Sequence, residues 1–338
     1  MRAKQFDAIR FAAYRTASKL RFIQQRTLFN IMDLWKVVET FREFGLHHLN
    51  DPQASLDYAG TFRLLSRIYS YIPTSNLNVK NPTDDTQSGN TVDRSVLIMA
   101  AEILLGWLGY AFDLCATGRL SVTGLKIALS TLTNARPAEK FRYHFTLLSD
   151  PSGALIFSKF EAYLQDLLKL PISVFEGTNF FYTPRAAQIM FTGRSKNIVL
   201  EEFLDRMLSD QAPQVLVWLT IFHRLASVAN VRHNVRCEGC KREQICGLRY
   251  KCTRCPHYNL CQDCFWIGVT TDQHTNAHDV KEYNAASKSH SRQFGHSLRK
   301  SFQFGRSITN PVSSSTMTTG ASVNLKRLLQ SVFHAVFF

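Results

Sequence analysis

Four paired motifs follow one another between residues 237 and 278: Cys237-x2-Cys240, Cys252-x2-Cys255, Cys261-x2-Cys264 and His274-x3-His278. A Cys-x2-Cys turn brings two thiolates onto one metal ion, and His-x3-His does the same for two imidazoles. Four half-sites of this kind make two tetrahedral zinc centres. Catalytic zinc keeps an open position for water, whereas eight donors shared by two ions leave no vacancy. The segment is therefore expected to be a zinc-stabilised binding module whose metals are structural.

The competing reading of paired cysteines is a disulfide framework. The chain opens Met1-Arg2-Ala3-Lys4-Gln5 and has no apolar signal core, which favours a reducing compartment and metal over disulfides. Cys246 has no partner at Cys-x2-Cys spacing and reads as a small apolar residue, and the isolated Cys115 reads as a buried core or loop thiol. Spacing leaves the pairing open. Sequential use of the motifs would join Cys237, Cys240, Cys252 and Cys255. Interleaved use would join Cys237, Cys240, Cys261 and Cys264 against Cys252, Cys255, His274 and His278.

The whole chain has 338 residues, 45% of them hydrophobic, and a net charge of +14. That length predicts two or three domains. The charge belongs to the ends: residues 1–36 carry eight Lys/Arg against two Asp/Glu, and residues 285–338 carry seven against none. Across 237–281 the balance is only +1, a poor electrostatic footprint for nucleic acid. An uninterrupted run of 18 apolar residues is absent, so no membrane span is expected. Motifs of the His-Glu-x2-His and Gly-x4-Gly-Lys-Ser/Thr types are missing too, and catalysis finds little support.

Apolar periodicity predicts mainly helix. Phe6, Ile9, Ala13, Ala17, Leu20 and Ile23 form one stripe, and Ile31, Leu34, Trp35, Val38 and Phe41 form a second that ends at Gly45. Arg2, Arg10, Arg15, Arg21 and Arg26 could line a phosphate-binding face, although charge on the wet side of a helix is usually solvation. A helix over Leu56–Tyr71 stops at Pro73, and residues 73–93 read as a polar, mobile loop. Beyond Val96 comes a stripe of Ile98, Ala101, Leu105, Leu108 and Phe112, and Pro213–Ser227 is a last apolar helix with Val215, Leu219, Phe222 and Leu225 inward.

Three turns between these helices carry the frame of an EF-hand without its ligands. In Asp113–Gly124, Asp113 takes loop position 1, Gly118 the sharp turn at 6 and Leu120 the apolar position 8, but Cys115 sits at 3 and Gly124 where the bidentate Glu belongs. Leu148–Lys159 has Gly153 at 6 and Leu155 at 8, with Lys159 at 12, and Ser158 with Glu161 suggests a capping box for a helix over Lys159–Leu168. Phe191–Glu202, entered through the helix-starting pair Thr183-Pro184, has Ile198 at 8 and Glu202 at 12 but Lys196 at 6. No calcium is expected at any of them.

The run from Cys237 through Gly247-Leu248-Arg249-Tyr250-Lys251-Cys252 and Tyr258-Asn259-Leu260-Cys261 to His278 resembles a ZZ-type zinc finger. That resemblance implies the interleaved cross-brace: zinc 1 on Cys237, Cys240, Cys261 and Cys264, and zinc 2 on Cys252, Cys255, His274 and His278. Tyr250, Tyr258, Phe265 and Trp266 become the candidate partner contacts on the finger. Helical hairpins with degenerate EF loops followed by a ZZ finger resemble the dystrophin family, as do Ala12–Phe22, Ile156–Phe160, Leu170–Gly177 and Leu216–Leu219. The match is to its dystrobrevin branch, since the chain opens on this region without spectrin repeats or a WW module.

The resemblance implies a mainly α chain of two degenerate EF-hand-like regions (1–135 and 136–232), a zinc-stabilised cross-brace finger (233–284) and a basic, disordered tail (285–338). It implies a non-enzymatic cytoplasmic scaffold at the inner face of the plasma membrane. Its partners would belong to the dystrophin-associated complex: dystrophin, dystroglycan or sarcoglycan, and with less support syntrophin. The tail ends in an apolar stretch, Leu325–Phe338, in place of paired coiled coils, so the chain reads as a short form. The alternatives are a ubiquitin-ligase-type adaptor, which should carry His among its middle ligands, and a nucleic-acid-binding zinc protein.

Overall fold

A computed structural model describes residues 4–47, 54–74, 92–191, 197–209, 212–271 and 274–284. The helices in chain order are α1 (Lys4–Asp7), α2 (Ala12–Arg26), α3 (Leu34–Glu43), α4 (Tyr58–Tyr69), α5 (Arg94–Phe112), α6 (Val122–Leu132), α7 (Pro137–Leu148), α8 (Phe157–Ser173), α9 (Pro184–Gln188), α10 (Leu200–Leu208), α11 (Val217–Val228) and α12 (Gln262–Ile267). Short strands lie between them: β1 (Ser55–Asp57), β2 (Arg119–Ser121), β3 (Leu155–Ile156), β4 (Asn197–Ile198), β5 (Arg232–His233), β6 (Ile245–Cys246), β7 (Arg249–Cys252), β8 (Asn259–Cys261) and β9 (Val280–Tyr283). The fold is mainly α, as the periodicity predicts. Among the described residues, 4–22 and 174–284 gather into one compact unit and 23–173 into another. The basic tail from 285 and residues 75–91 of the 73–93 loop lie outside the described residues.

In the unit of residues 23–173, two helix–loop–helix arms join through β1 and β2. The strands are antiparallel, with Leu56 opposite Leu120. Each arm turns from loop to helix through a capping side chain: Asp57 accepts from the Gly60 N–H at 2.7 Å and Ser121 from the Gly124 N–H at 3.3 Å. Leu56 thus belongs to a strand, and the helix expected from it begins at Tyr58. Gly118 has φ +75° and Gly153 φ +77°, the left-handed turn that position 6 requires. Leu120 and Leu155, at position 8, are fully buried.

The Asp113 carboxylate is occupied within the chain. It accepts from the Thr117 and Gly118 N–H groups at 2.7 and 2.9 Å, the Thr117 hydroxyl at 2.9 Å and the Tyr58 hydroxyl at 3.1 Å. Burial pushes this carboxyl up, but those donors outweigh it and hold it below its ordinary range. Asp150 closes its own loop in the same way, accepting from the N–H groups of Ser152 and Ala154.

Three expectations need correction here. Ile98 is 47% exposed, because α5 turns Leu97, Ala100, Leu104, Trp107 and Leu108 inward. On α3, Val37, Thr40 and Phe41 are buried, while Trp35 is 69% and Ile31 46% exposed. A left-handed residue, Leu28, and a 3-10 turn over Phe29–Ile31 reset the helical phase there. Helix α8 begins at Phe157, so Ser158 lies inside it and caps nothing from outside. By length and composition α5 is apolar enough to cross a membrane; most of it is buried against α4 and α8 as a core helix. The same core holds a polar relay: His144 Nε2 meets the Ser130 hydroxyl at 2.7 Å and His144 Nδ1 the Tyr163 hydroxyl at 2.9 Å.

The other unit combines α9, α10, α11 and the finger with the start of the chain. Thr183 caps α9 as expected, accepting from the Ala186 N–H at 3.3 Å. Ile198 is buried, and Phe180, Phe203, Trp218 and Phe222 form the core beside it. Val215 and Leu225 are only half-buried; Leu216, Trp218 and Ile221 take the inner face of that segment instead. The first helix does not run from Phe6. It breaks after Asp7 and restarts at Ala12, and the chain between is used to hold the finger. Arg15 does not face solvent as part of a phosphate-binding surface, for two of its nitrogens reach Glu176, Nε at 2.6 Å and Nη2 at 2.9 Å. Lys19 meets the same buried carboxylate at 3.0 Å.

Candidate metal centre

The finger is built on a three-stranded antiparallel sheet with β7 between β8 and β9. Its register sets Cys252 of β7 opposite Val280 of β9, and Arg249 opposite Cys261 of β8. One cysteine pair therefore sits at the end of β7, and the other runs from the end of β8 into α12. Gly239 in the first Cys-x2-Cys turn admits no side chain, since a Cβ there would lie 2.8 Å from the Cys264 sulfur.

This topology brings the donors together in two groups, Cys237, Cys240, Cys261 and Cys264 in one and Cys252, Cys255, His274 and His278 in the other, with the donor atoms of each within 4.8 Å of one another. Zn–S bonds of about 2.3 Å in a tetrahedron place neighbouring sulfurs about 3.8 Å apart. Cys240 and Cys261 sulfurs are 3.9 Å apart, and His278 Nδ1 lies 3.7 Å from the Cys252 sulfur and 3.3 Å from that of Cys255. His274 Nδ1 is 3.7 Å from the Cys255 sulfur. The donor sets and their spacings fit zinc, and they group in the interleaved order. Cys246 is exposed, and Cys115 is an exposed thiol in the loop between α5 and β2, the loop alternative of the expectation and not the buried one.

Backbone amides favour thiolates. The Cys261 N–H donates to the Cys237 sulfur at 3.2 Å and the Cys255 N–H to that of Cys252 at 3.3 Å. Burial alone would raise the Cys237 thiol, but such amides outweigh it and bring it down to about 7. Burial and the neighbouring Cys237 sulfur push Cys261 up to about 12, the repulsion that a shared cation relieves.

The four aromatic candidates for partner contact are all buried, with Tyr258 the most exposed at 8%. Their rings hold the finger together. Tyr250 stacks on Phe265 at 4.0 Å between centroids and Tyr258 on the ligand-set His274 at 4.1 Å. Phe265 also stacks on Phe11 at 5.5 Å, and Trp266 lies 5.3 Å from Tyr14.

Beneath these rings lies a buried network that the spacing of the motifs does not reveal. Glu282 of β9 accepts from the Tyr14 hydroxyl at 2.7 Å, the Tyr250 hydroxyl at 2.9 Å and Arg224 Nη1 at 2.8 Å. The Trp266 indole N–H donates in turn to the Tyr250 oxygen at 2.9 Å. Burial first, and then the Glu282 charge, push both tyrosines well above their ordinary range, so they remain donors at neutral pH. Residues from α2, α11, β7, β9 and α12 meet in one satisfied polar cluster. Nothing in the local sequence around Glu282 signals it, because its partners lie 32 to 268 positions away.

Comparison with known proteins agrees with this organisation. Residues 1–133 match an EF hand family model, residues 138–226 a second EF-hand model, and residues 231–275 the model "Zinc finger, ZZ type". The chain is similar to Dystrobrevin-1 of Caenorhabditis elegans, 40% identical over 303 residues that cover 90% of the chain and 49% of the relative. It is 28% identical to Dystrophin, isoform B of Drosophila melanogaster over 88% of the chain and 17% of that protein. With Utrophin of Rattus norvegicus the figures are 27%, 81% and 8%. The chain thus spans about half the length of Dystrobrevin-1 and a small part of the other two. Module order, finger geometry and extended similarity agree: the chain belongs to the dystrophin family and carries the EF-hand and ZZ-type zinc-finger region found in dystrobrevin.

Proposed function

We propose that this chain is a non-enzymatic adaptor of the dystrophin-associated membrane complex, acting in the cytoplasm at the inner face of the plasma membrane. One observation carries the reading: the finger is built into its unit through Glu282, Tyr14 and Arg224, so helices and finger present one continuous surface to a partner. The family relationship supplies the class of partner, namely dystrophin, dystroglycan or sarcoglycan, with syntrophin a weaker candidate.

Two zinc ions serve this role structurally, one on Cys237, Cys240, Cys261 and Cys264 and one on Cys252, Cys255, His274 and His278. Each ion, when bound, supplies cross-links among four protein donors and holds no position for substrate water. Calcium is given no part in this reading, because Cys115 and Gly124 at positions 3 and 12 of the first loop and Lys159 at position 12 of the second leave it without the oxygens it needs.

The test is recovery of partners by the full chain from detergent-solubilised membranes, identified by mass spectrometry, with and without prior zinc chelation. Dystrophin-associated proteins recovered by the loaded chain and lost on chelation are the expected result. Recovery of ubiquitin-conjugating enzymes or nucleic acid in their place would overturn it.

A further inference from the structure

The segment between α1 and α2 is irregular, and the finger accounts for its conformation. Arg10 donates its backbone N–H to the Trp266 carbonyl at 3.0 Å. Its guanidinium reaches the carbonyls of Phe265 and Trp266, Nη2 at 2.8 Å and Nε at 3.3 Å. These carbonyls belong to the last turn of α12, where the Gly268 N–H reaches that of Phe265 at 3.1 Å and no further helical turn supplies donors. Gly268 follows in the left-handed conformation, φ +81°, and a Cβ there would lie 2.7 Å from Arg10 Nε. Arg10 therefore caps α12 in a space kept open by a missing side chain. One turn further on, Tyr14 is fully buried, donates to Glu282 and packs on Trp266, while Phe11 stacks on Phe265.

Both structures that grip the chain's start are themselves held by a donor quartet. Helix α12 carries Cys264 of the first quartet. Strand β9 begins two residues after His278 and pairs with the β7 strand that ends in Cys252, both from the second. A small cross-brace of this kind owes most of its folding free energy to its metals. The Arg10 carbonyl partners and the Glu282 carboxylate keep their positions only while those metals hold α12 and β9.

We infer that the finger is a metal-dependent clasp on the N-terminal segment of its own chain: zinc occupancy fixes residues 9–20, and loss of zinc releases them. This rests on the zinc assignment proposed above and adds a consequence for the helical region. The metal state of the finger then controls whether the first long helix of the chain is docked, and any partner that reads that helix reads zinc as well.

Hydrogen exchange with mass spectrometry on the full chain tests this, with zinc content measured on the same samples. In the loaded chain, amides of 12–20 are expected to be protected. Chelation should speed their exchange at least about tenfold, together with that of 249–283. Arg10→Ala and Tyr14→Phe should speed exchange in 9–20 while retaining the zinc of the parent chain, which separates the clasp from collapse of the finger. If chelation unprotects 249–283 and leaves 12–20 as protected as before, the clasp is refuted while the zinc assignment stands. If the purified chain carries no zinc and takes up none, the zinc assignment and the clasp both fall.

Discussion

Glu282 shows how much one buried side chain can decide. Its carboxylate is the shared acceptor for Tyr14, Tyr250 and Arg224, and its ion pair with Arg224 leaves each side chain less than a tenth exposed. Removing one member of such a pair leaves a charge in a dry site, which costs about 3–5 kcal/mol. Glu282→Ala should therefore lower the unfolding free energy by about that much in urea titration, whereas Tyr14→Phe, which removes one hydroxyl from the charged carboxylate, should cost about 1.5–3 kcal/mol. His144 offers a second prediction at this scale. Burial, aided by the nearby Lys140 charge, holds it down to about 3. The unfolded chain takes up that proton near the ordinary value of about 6.5. Stability from the neutral imidazole is thus complete above that pH and is lost as pH falls toward 3, by about 1.4 kcal/mol per unit. His144→Gln should be less stable at pH 7, and its deficit relative to the parent chain should shrink between pH 6.5 and 5. Comparing the two at each pH cancels the acid sensitivity of the finger. The sequence marks neither residue, since burial and distant partners make both of them matter.

The EF-hand-like loops are the elements whose design was most legible. A glycine for the sharp turn and an apolar residue two positions on are local requirements, and Gly118 with Leu120 and Gly153 with Leu155 meet them in the structure. A Cβ at either glycine meets nothing within 4 Å, so the cost of alanine there is that of the backbone alone. Gly118→Ala and Gly153→Ala should each destabilise by about 1–2 kcal/mol in thermal or chemical unfolding. Millimolar calcium should leave the melting temperature of the parent chain unchanged. A rise would show that the ion binds the folded chain and would overturn the reading of these loops as calcium-free. Helix phase was less legible. Residues Ile31, Trp35 and Ile98 fit an apolar stripe, yet the stripe that packs is set by where each helix starts, and the starts depend on Leu28 for α3 and on the cap at Asp93 for α5. The expected helix from Phe6 failed for a related reason: Arg10 has a better use for its backbone N–H than the next turn of helix.

Across the whole molecule, the motifs along the chain and the compact units do not share boundaries. The family models hand over between 133 and 138 and between 226 and 231, but the units divide at Phe22 and Ser173. Contacts such as Arg10 with Trp266 and Arg15 with Glu176 draw the start of the chain into the unit that holds the finger. No local pattern could show that, because these partners lie 256 and 161 positions away. The eight candidate metal donors were legible as half-sites from spacing, and the proposed pairing required the fold or the family. Its interleaving would tie α12 and β9 to different ions. Cobalt substitution reads it directly, because an all-thiolate site and a mixed thiolate–imidazole site differ in their charge-transfer and ligand-field bands. The parent chain should take up two metal ions and show both signatures. Cys261→Ser should then lose the all-thiolate signature and keep the mixed signature of Cys252, Cys255, His274 and His278. A Cys261→Ser chain that kept the all-thiolate signature and lost the mixed one would contradict interleaving, and with it the separate anchoring of α12 and β9.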